Sequence, residues 1–212
     1  MKSPTDMLTR PAMTTIIKEK HKDQKIRCAW VPADNELYAK YHDSEWGVPV
    51  FDDRKIFEFL LLESAQAGLS WITVLRKREN YRRVFAGFDP KRIARFGTKE
   101  INKLLLDPGI IRNRLKIEAA VNNARKFLVI QEEFGTFFKY IWQFVGGKPL
   151  VNRWENIKSL PIKTKEAEEL SLDLKKRGLK FLGPTIIYAH MQATGMVNDH
   201  MVDCFRYKEL RG

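Results

Sequence analysis

The chain has 212 residues, 44% hydrophobic, 30% charged and 11% aromatic, a balance that fits an ordinary globular protein and excludes collagen-like, low-complexity and disulfide-scaffold classes. Its 38 Lys and Arg against 26 Asp and Glu give a formal charge of +12, which points to a polyanionic partner, nucleic acid ahead of an anionic membrane. No apolar run reaches the ~18 residues of a membrane-spanning helix and no signal-peptide core opens the sequence, so a soluble cytoplasmic protein is expected.

Residues 1–25 carry Pro4, Pro11 and a lysine-rich stretch, with six Lys or Arg against three acids. They are expected to form a flexible basic tail, either simply solvated or helping DNA contact. Residues 26–212 are then the folded domain. Helical spacing begins at Ile56, Phe57, Leu60 and Leu61, after the candidate N-caps Asp52 and Asp53. Further helices are expected over 78–85 and 98–106, the second stopped by Asp107, Pro108 and Gly109. A long amphipathic helix follows over 111–133, ending at Gly135, and Thr136 caps an aromatic segment that closes at Gly146 and Gly147. Helix 164–177 ends at Gly178, placed as a left-handed cap, and helix 184–194 opens on Pro184 and stops at Gly195. No sustained alternation of period two is present. The expected fold class is all-α.

Three constellations carry chemical content. The segment Gly178 to Thr185, preceded by Lys175, Lys176 and Arg177, is a glycine-bounded connection between two helices. It could aim N–H groups and a helix N-terminus at a phosphate, or be an ordinary cap in a basic turn. Cys28, Cys204, His42 and His200 form a possible metal set, with His200 and Cys204 four residues apart on one face. Either His190 or His21 could replace a member. If all four bind, two thiolates and two imidazoles suit a closed tetrahedral Zn²⁺, structural and not catalytic. Lastly, Trp30, Tyr38, Tyr41 and Trp46 precede Glu63, which follows the run Phe59 to Leu62, and Trp71 comes eight residues later. A carboxylate in such a run is either turned to the surface or buried, and a buried one is partnered or titrates upward.

The strings LYAKYHDSEWGVPVFDDRKIFEFLLLESAQAGLSWITVLRKRENYRRVF, DPGIIRNRLKI and LKKRGLKFLGPTIIYAHMQATGMVNDHMVDC closely resemble the bacterial 3-methyladenine DNA glycosylase I family, from about Arg27 to Tyr207. The resemblance implies a helix-hairpin-helix glycosylase fold, monofunctional excision of 3-methyladenine from alkylated double-stranded DNA, and one structural zinc per chain. It puts the metal on Cys28, His42, His200 and Cys204, and the base-recognising, catalytic acid on Glu63. The stacking tryptophan falls on Trp71 and the pocket tyrosines on Tyr38 and Tyr41, with Trp30 and Trp46 lining or supporting the pocket. Gln66, Gly68 and Leu69 match the loop that approaches the gap left in the duplex. The hairpin falls on about Leu174 to Met196, with Gly178, Lys180, Gly183 and Thr185 toward the DNA backbone. Ser64 and Ala65 depart from the family pattern, where a glycine and a glutamine are common.

The expected chemistry is selection of a cationic base. Trp71 offers a π-face, Glu63 acts as an ionised acceptor, and Tyr41 orients the base. Asp199, beside His200, is expected to serve as a cap or to support that ligand. The rivals are a noncatalytic zinc-stapled DNA-binding module and a zinc hydrolase; four ligands disfavour the second because they leave no open position. A monomer suffices for all of this.

Overall fold

The computed structural model describes residues 25–211; the expected tail and the alternative ligand His21 lie outside the described residues, apart from Lys25. The chain builds α1 (Glu36–Ser44), α2 (Asp53–Gln66), α3 (Trp71–Leu75), α4 (Arg78–Val84), α5 (Pro90–Ile93), α6 (Thr98–Leu106), α7 (Arg114–Phe134) and α8 (Phe137–Trp142). After β1 (Leu150–Val151) come α9 (Lys165–Lys176), α10 (Pro184–Ala193), β2 (Val197–Asn198) and α11 (Phe205–Glu209). Side-chain oxygens start the principal helices by accepting orphan N–H groups. Asn35 takes Tyr38 N, Asp52 takes Lys55 N, Asn113 takes Lys116 N and Thr136 takes Lys139 N.

The expected helices fall within two or three residues of these bounds, but one proposed cap acts elsewhere. Asp53 accepts from Phe137 N at 2.7 Å and Phe138 N at 2.8 Å, so it caps α8 from α2 and locks two helices that pack on α7. The all-α expectation also needs a small correction. β1 pairs in parallel with β2, Leu150 with Val197 and Val151 with Asn198, and an isolated bridge joins Trp154 to Met201. Two residues per strand are too few to show alternation in sequence.

Helix α2 is the centre of the core. Every residue from Ile56 to Ala65 is buried, because α3, α7, α8 and α10 all pack on it. A helix covered on all sides has no solvent face on which to place a carboxylate. The parallel strand pairing fixes the segment after α10, which carries Asp199 and His200.

Gly195 makes this return possible. It has φ +66°, and a Cβ there would lie 2.3 Å from Pro49 N and 2.4 Å from Val48 C, both backbone atoms. Gly195→Ala therefore combines a left-handed conformation with a clash that no rotamer relieves. The variant is expected to lose about 3 kcal/mol or more, read as a fall in Tm by thermal denaturation.

Candidate base pocket and metal cluster

The predicted pocket residues converge. A pocket of about 280 Å³ is lined by Trp30, Tyr38, Tyr41, Trp46, Glu63, Gln66 and Trp71. Its aromatic walls interlock. Trp30 meets Tyr38 edge-on at 5.5 Å between centroids and Trp46 at 5.0 Å, while Tyr41 tilts against Trp71 at 5.3 Å. Four further lining residues, Ile157, Leu160, Ala189 and Gln192, escaped the sequence reading. The first two sit in or beside a single 3₁₀ turn, where no periodicity marks them. The other two lie three apart on one face of α10, which the sequence shows only as a helix side.

Glu63 is buried, 3% exposed, which rules out the surface orientation left open above. Its Oε2 and the indole Nε1 of Trp71 have no hydrogen-bond partner among the described residues. Burial pushes the Glu63 carboxyl up to about 8, so near neutral pH it keeps its proton. The expected ionised acceptor therefore requires a cation to offset desolvation, and among the described residues none lies within reach. Burial, and then the neighbouring Glu63, raise the Tyr41 phenol well above its usual range, leaving Tyr41 a neutral hydroxyl.

The turn after α2 rims this pocket. Gly68 and Leu69 are exposed, and Leu69 N donates to Gln66 O at 2.6 Å. Lys116 of α7 reaches across to donate to the carbonyls of Ala65 at 2.9 Å and Ala67 at 2.6 Å. It thus caps α2 and holds the turn from below. Further along α7, Asn123 accepts from Lys180 N and donates to Lys180 O, both at 2.8 Å, and Asn122 donates to Gly178 O. Ser171 of α9 donates to Leu182 O at 2.7 Å. The connection between α9 and α10 is therefore held by its carbonyls, with Lys180, Gly183 and Thr185 exposed and Gly178 at φ +86°. In a trans peptide the N–H opposes the C=O. Inward carbonyls at Lys180 and Leu182 therefore turn the N–H groups of Phe181 and Gly183 outward.

All four expected metal ligands meet. The donor atoms of Cys28, His42, His200 and Cys204 lie within 4.8 Å of one another, all buried. Cys28 Sγ is 3.5 Å from His200 Nδ1, and Cys204 Sγ is 3.4 Å from His42 Nε2 and 3.5 Å from His200 Nδ1. A tetrahedral N/S site with normal bond lengths has edges of about 3.6 Å, so the cluster fits a metal ion. The alternative ligand His190 is buried, has no partner for either ring nitrogen among the described residues, and stands outside the group.

The opposite ring nitrogens fix the donors. His42 Nδ1 pairs with Asp43 at 2.8 Å, itself held by Arg27, and His200 Nε2 lies 3.1 Å from Trp46 O. The hydrogen bond between the two thiols pushes Cys204 down and Cys28 up, so the pair shares one proton, with His200 and His42 adding to the lowering at Cys204. Asp199, the expected support of His200, instead accepts from Asn152, Trp154, Tyr188 and Gln192.

The cluster also supports the pocket wall. The Trp46 ring packs edge-on to His200 at 4.6 Å and the Trp30 ring to His42 at 5.3 Å. Glu45, between them in sequence, pairs bidentately with the buried Arg78 at 2.8 and 2.7 Å, and Arg78 donates to Glu58 of α2 at 2.6 Å. This holds the end of α1 against α2 and α4.

Among the described residues, the helical scaffold buries a carboxyl with an unpartnered oxygen in a pocket walled by indole and phenol rings, a lining that suits a planar, electron-poor ring. The comparisons agree. The methyladenine glycosylase family model matches residues 30–207. The chain is 49% identical over 181 residues to DNA-3-methyladenine glycosylase 1 of Escherichia coli (strain K12), covering 85% of this chain and 96% of that one. It is 48% identical over 178 residues to DNA-3-methyladenine glycosylase of Haemophilus influenzae, covering 84% and 96%. A solved structure of 3-methyladenine DNA glycosylase I from Staphylococcus aureus, which concerns its recognition of 3-methyladenine, superposes with TM-score 0.82 at 38% identity, covering 84% and 95%. The chain belongs to the DNA-3-methyladenine glycosylase I family.

Two outcomes follow from the geometry. An acid with a pKa of about 8 in the fold and 4.5 when unperturbed binds its proton more tightly when folded, so its contribution to stability falls as pH rises through that window and is level above it. Glu63→Gln should therefore gain Tm relative to the parent between pH 5 and 8.5. Cys204→Ala should lower Tm, and a strong chelator should destabilise the parent protein but have little further effect on the variant.

Proposed function

We propose that this chain excises 3-methyladenine from alkylated double-stranded DNA by hydrolysing the N-glycosidic bond, leaving an abasic site in an intact backbone. The observation that carries the reading is Glu63, a buried carboxyl with a free oxygen in an aromatic pocket. A noncatalytic DNA-binding module would have no use for the cost of burying it.

Methylation at N3 makes the adenine cationic, so the base departs as a neutral molecule and needs little acid catalysis. Selection is the harder task, since extrusion itself costs a few kcal/mol. Trp71 stacks on the base, and a desolvated cation over its ring is worth about 2 kcal/mol. As the cation enters, its charge draws Glu63 into the carboxylate form, and the proton leaves to solvent. The ion pair then forms inside a site from which water is excluded, where its attraction is strongest. Normal adenine brings no charge and leaves Glu63 protonated, which is how the pocket refuses it. Tyr41 offers a neutral hydroxyl to orient the ring, and Tyr38, Trp30 and Trp46 complete the walls.

Leu69, with Gln66 and Gly68, enters the space the nucleotide vacates. The helix-hairpin-helix formed by α9, α10 and their connection binds backbone phosphates through the outward N–H groups, Lys180 and Thr185. Cys28, His42, His200 and Cys204 would hold one Zn²⁺, whose contribution when bound is structural, since four protein ligands leave no open position. No lysine lines the pocket among the described residues, which supports hydrolysis without strand cleavage. We place the enzyme in the cytoplasm and expect it to act as a monomer.

Incubation with methylated DNA and chromatography of the freed bases tests the reading. The parent protein should liberate 3-methyladenine without nicking the strand, and Glu63→Gln should lower kcat/KM at least tenfold while nonspecific DNA binding persists. Because the cation prefers the ionised acid, kcat/KM should climb with pH toward about 8, and the variant should lose that limb. A nicked product, or no freed base, would overturn the assignment. Metal analysis should return one zinc per chain.

A further inference from the structure

Asp199 is buried, 2% exposed, and accepts four hydrogen bonds. They come from Asn152 Nδ2 at 2.7 Å, Trp154 Nε1 at 2.7 Å, Tyr188 OH at 2.5 Å and Gln192 Nε2 at 2.8 Å. Four donors, two on each oxygen, fill the lone-pair sites of the carboxyl group. One of them, Gln192, also lines the base pocket from the last turn of α10.

The chemistry of that contact decides how the amide is turned. A carboxylate only accepts, so the N–H side of Gln192 must face Asp199, and a flipped amide would set oxygen against oxygen. What remains of the amide is its carbonyl oxygen, to which no group donates among the described residues. Asp199 cannot relax its grip by turning away, because Asn152 and Trp154 from the segment after β1 and Tyr188 from α10 hold it in place.

We propose that Gln192 is a specificity-determining residue of the pocket. Its carbonyl oxygen is a fixed acceptor for an N–H edge of the extruded purine, and Asp199 is the positioning residue that keeps it so. The proposal rests on the glycosylase function argued above. An adenine-type base carries an exocyclic amine at C6, a donor, whereas a guanine-type base carries a carbonyl oxygen there. An unanchored glutamine could serve either by flipping. Anchored on Asp199, it meets the keto purine acceptor to acceptor, and selectivity for the amino purine follows from the second pocket acceptor as well as from Glu63.

The test is release of 3-methyladenine and 3-methylguanine from the same methylated DNA under single-turnover conditions. Gln192→Met keeps the size of the side chain and removes the acceptor. It should slow 3-methyladenine release about tenfold, the worth of one hydrogen bond, and slow 3-methylguanine release much less, so the ratio of the two rates falls. Asp199→Asn, which tolerates either amide orientation, should shift the ratio in the same direction. Equal loss of both bases in Gln192→Met would mean that the residue only shapes the pocket, and would overturn the proposal. Parent protein that frees no 3-methyladenine would instead bring down the glycosylase reading itself.

Discussion

The structure depends on keeping one carboxyl out of water with no partner for its Oε2 among the described residues. Glu63 is confined because α2 is wrapped by four other helices, and a buried polar group without a partner costs on the order of 1 to 3 kcal/mol. That deficit is tolerable only in a fold with stability to spare around the same point. The reserve is visible in the continuous core on either side of Glu63, from Ile56 through Leu62, and in the Glu45, Arg78 and Glu58 ion network that fixes α2 to the end of α1.

The metal cluster and the pocket share parts. His42 and Tyr41 are consecutive residues of α1, one facing each site, and the rings of Trp30 and Trp46 touch both. The two ends of the described chain therefore meet behind the pocket wall. A metal ion held by Cys28 and Cys204 would close a loop of well over a hundred residues, the kind of closure whose entropy is largest. Loss of the cluster would loosen aromatic faces whose mutual angles set the shape of the cavity.

Much of this was legible in the sequence, for reasons that differ by residue. Helices capped by Asn, Asp or Thr and stopped by Gly, such as α7 and α9, announce themselves locally. The metal set shows in the sequence as residue types, with one local spacing from His200 to Cys204, and the roles of the pocket residues only through the family resemblance, because the structure assembles both from segments as distant as Cys28 and Cys204. What stayed hidden was decided by tertiary placement. The protonated state of Glu63 depends on how completely α2 is covered, Asp53 caps a helix some eighty residues away, and Gln192 is one of several polar residues on α10 until the pocket is seen. The strand pair of β1 and β2 leaves no pattern at two residues each.

Lys116 and Asn123, described above as separate clamps, stand seven residues apart on one straight element. At 1.5 Å per residue that is about 10 Å along α7, close to three base-pair steps of duplex DNA at 3.4 Å each. Helix α7 thereby works as a gauge block: the turn after α2 and the turn between α9 and α10 are both fastened to it, at anchor points whose spacing is set by helical rise and not by loop conformation.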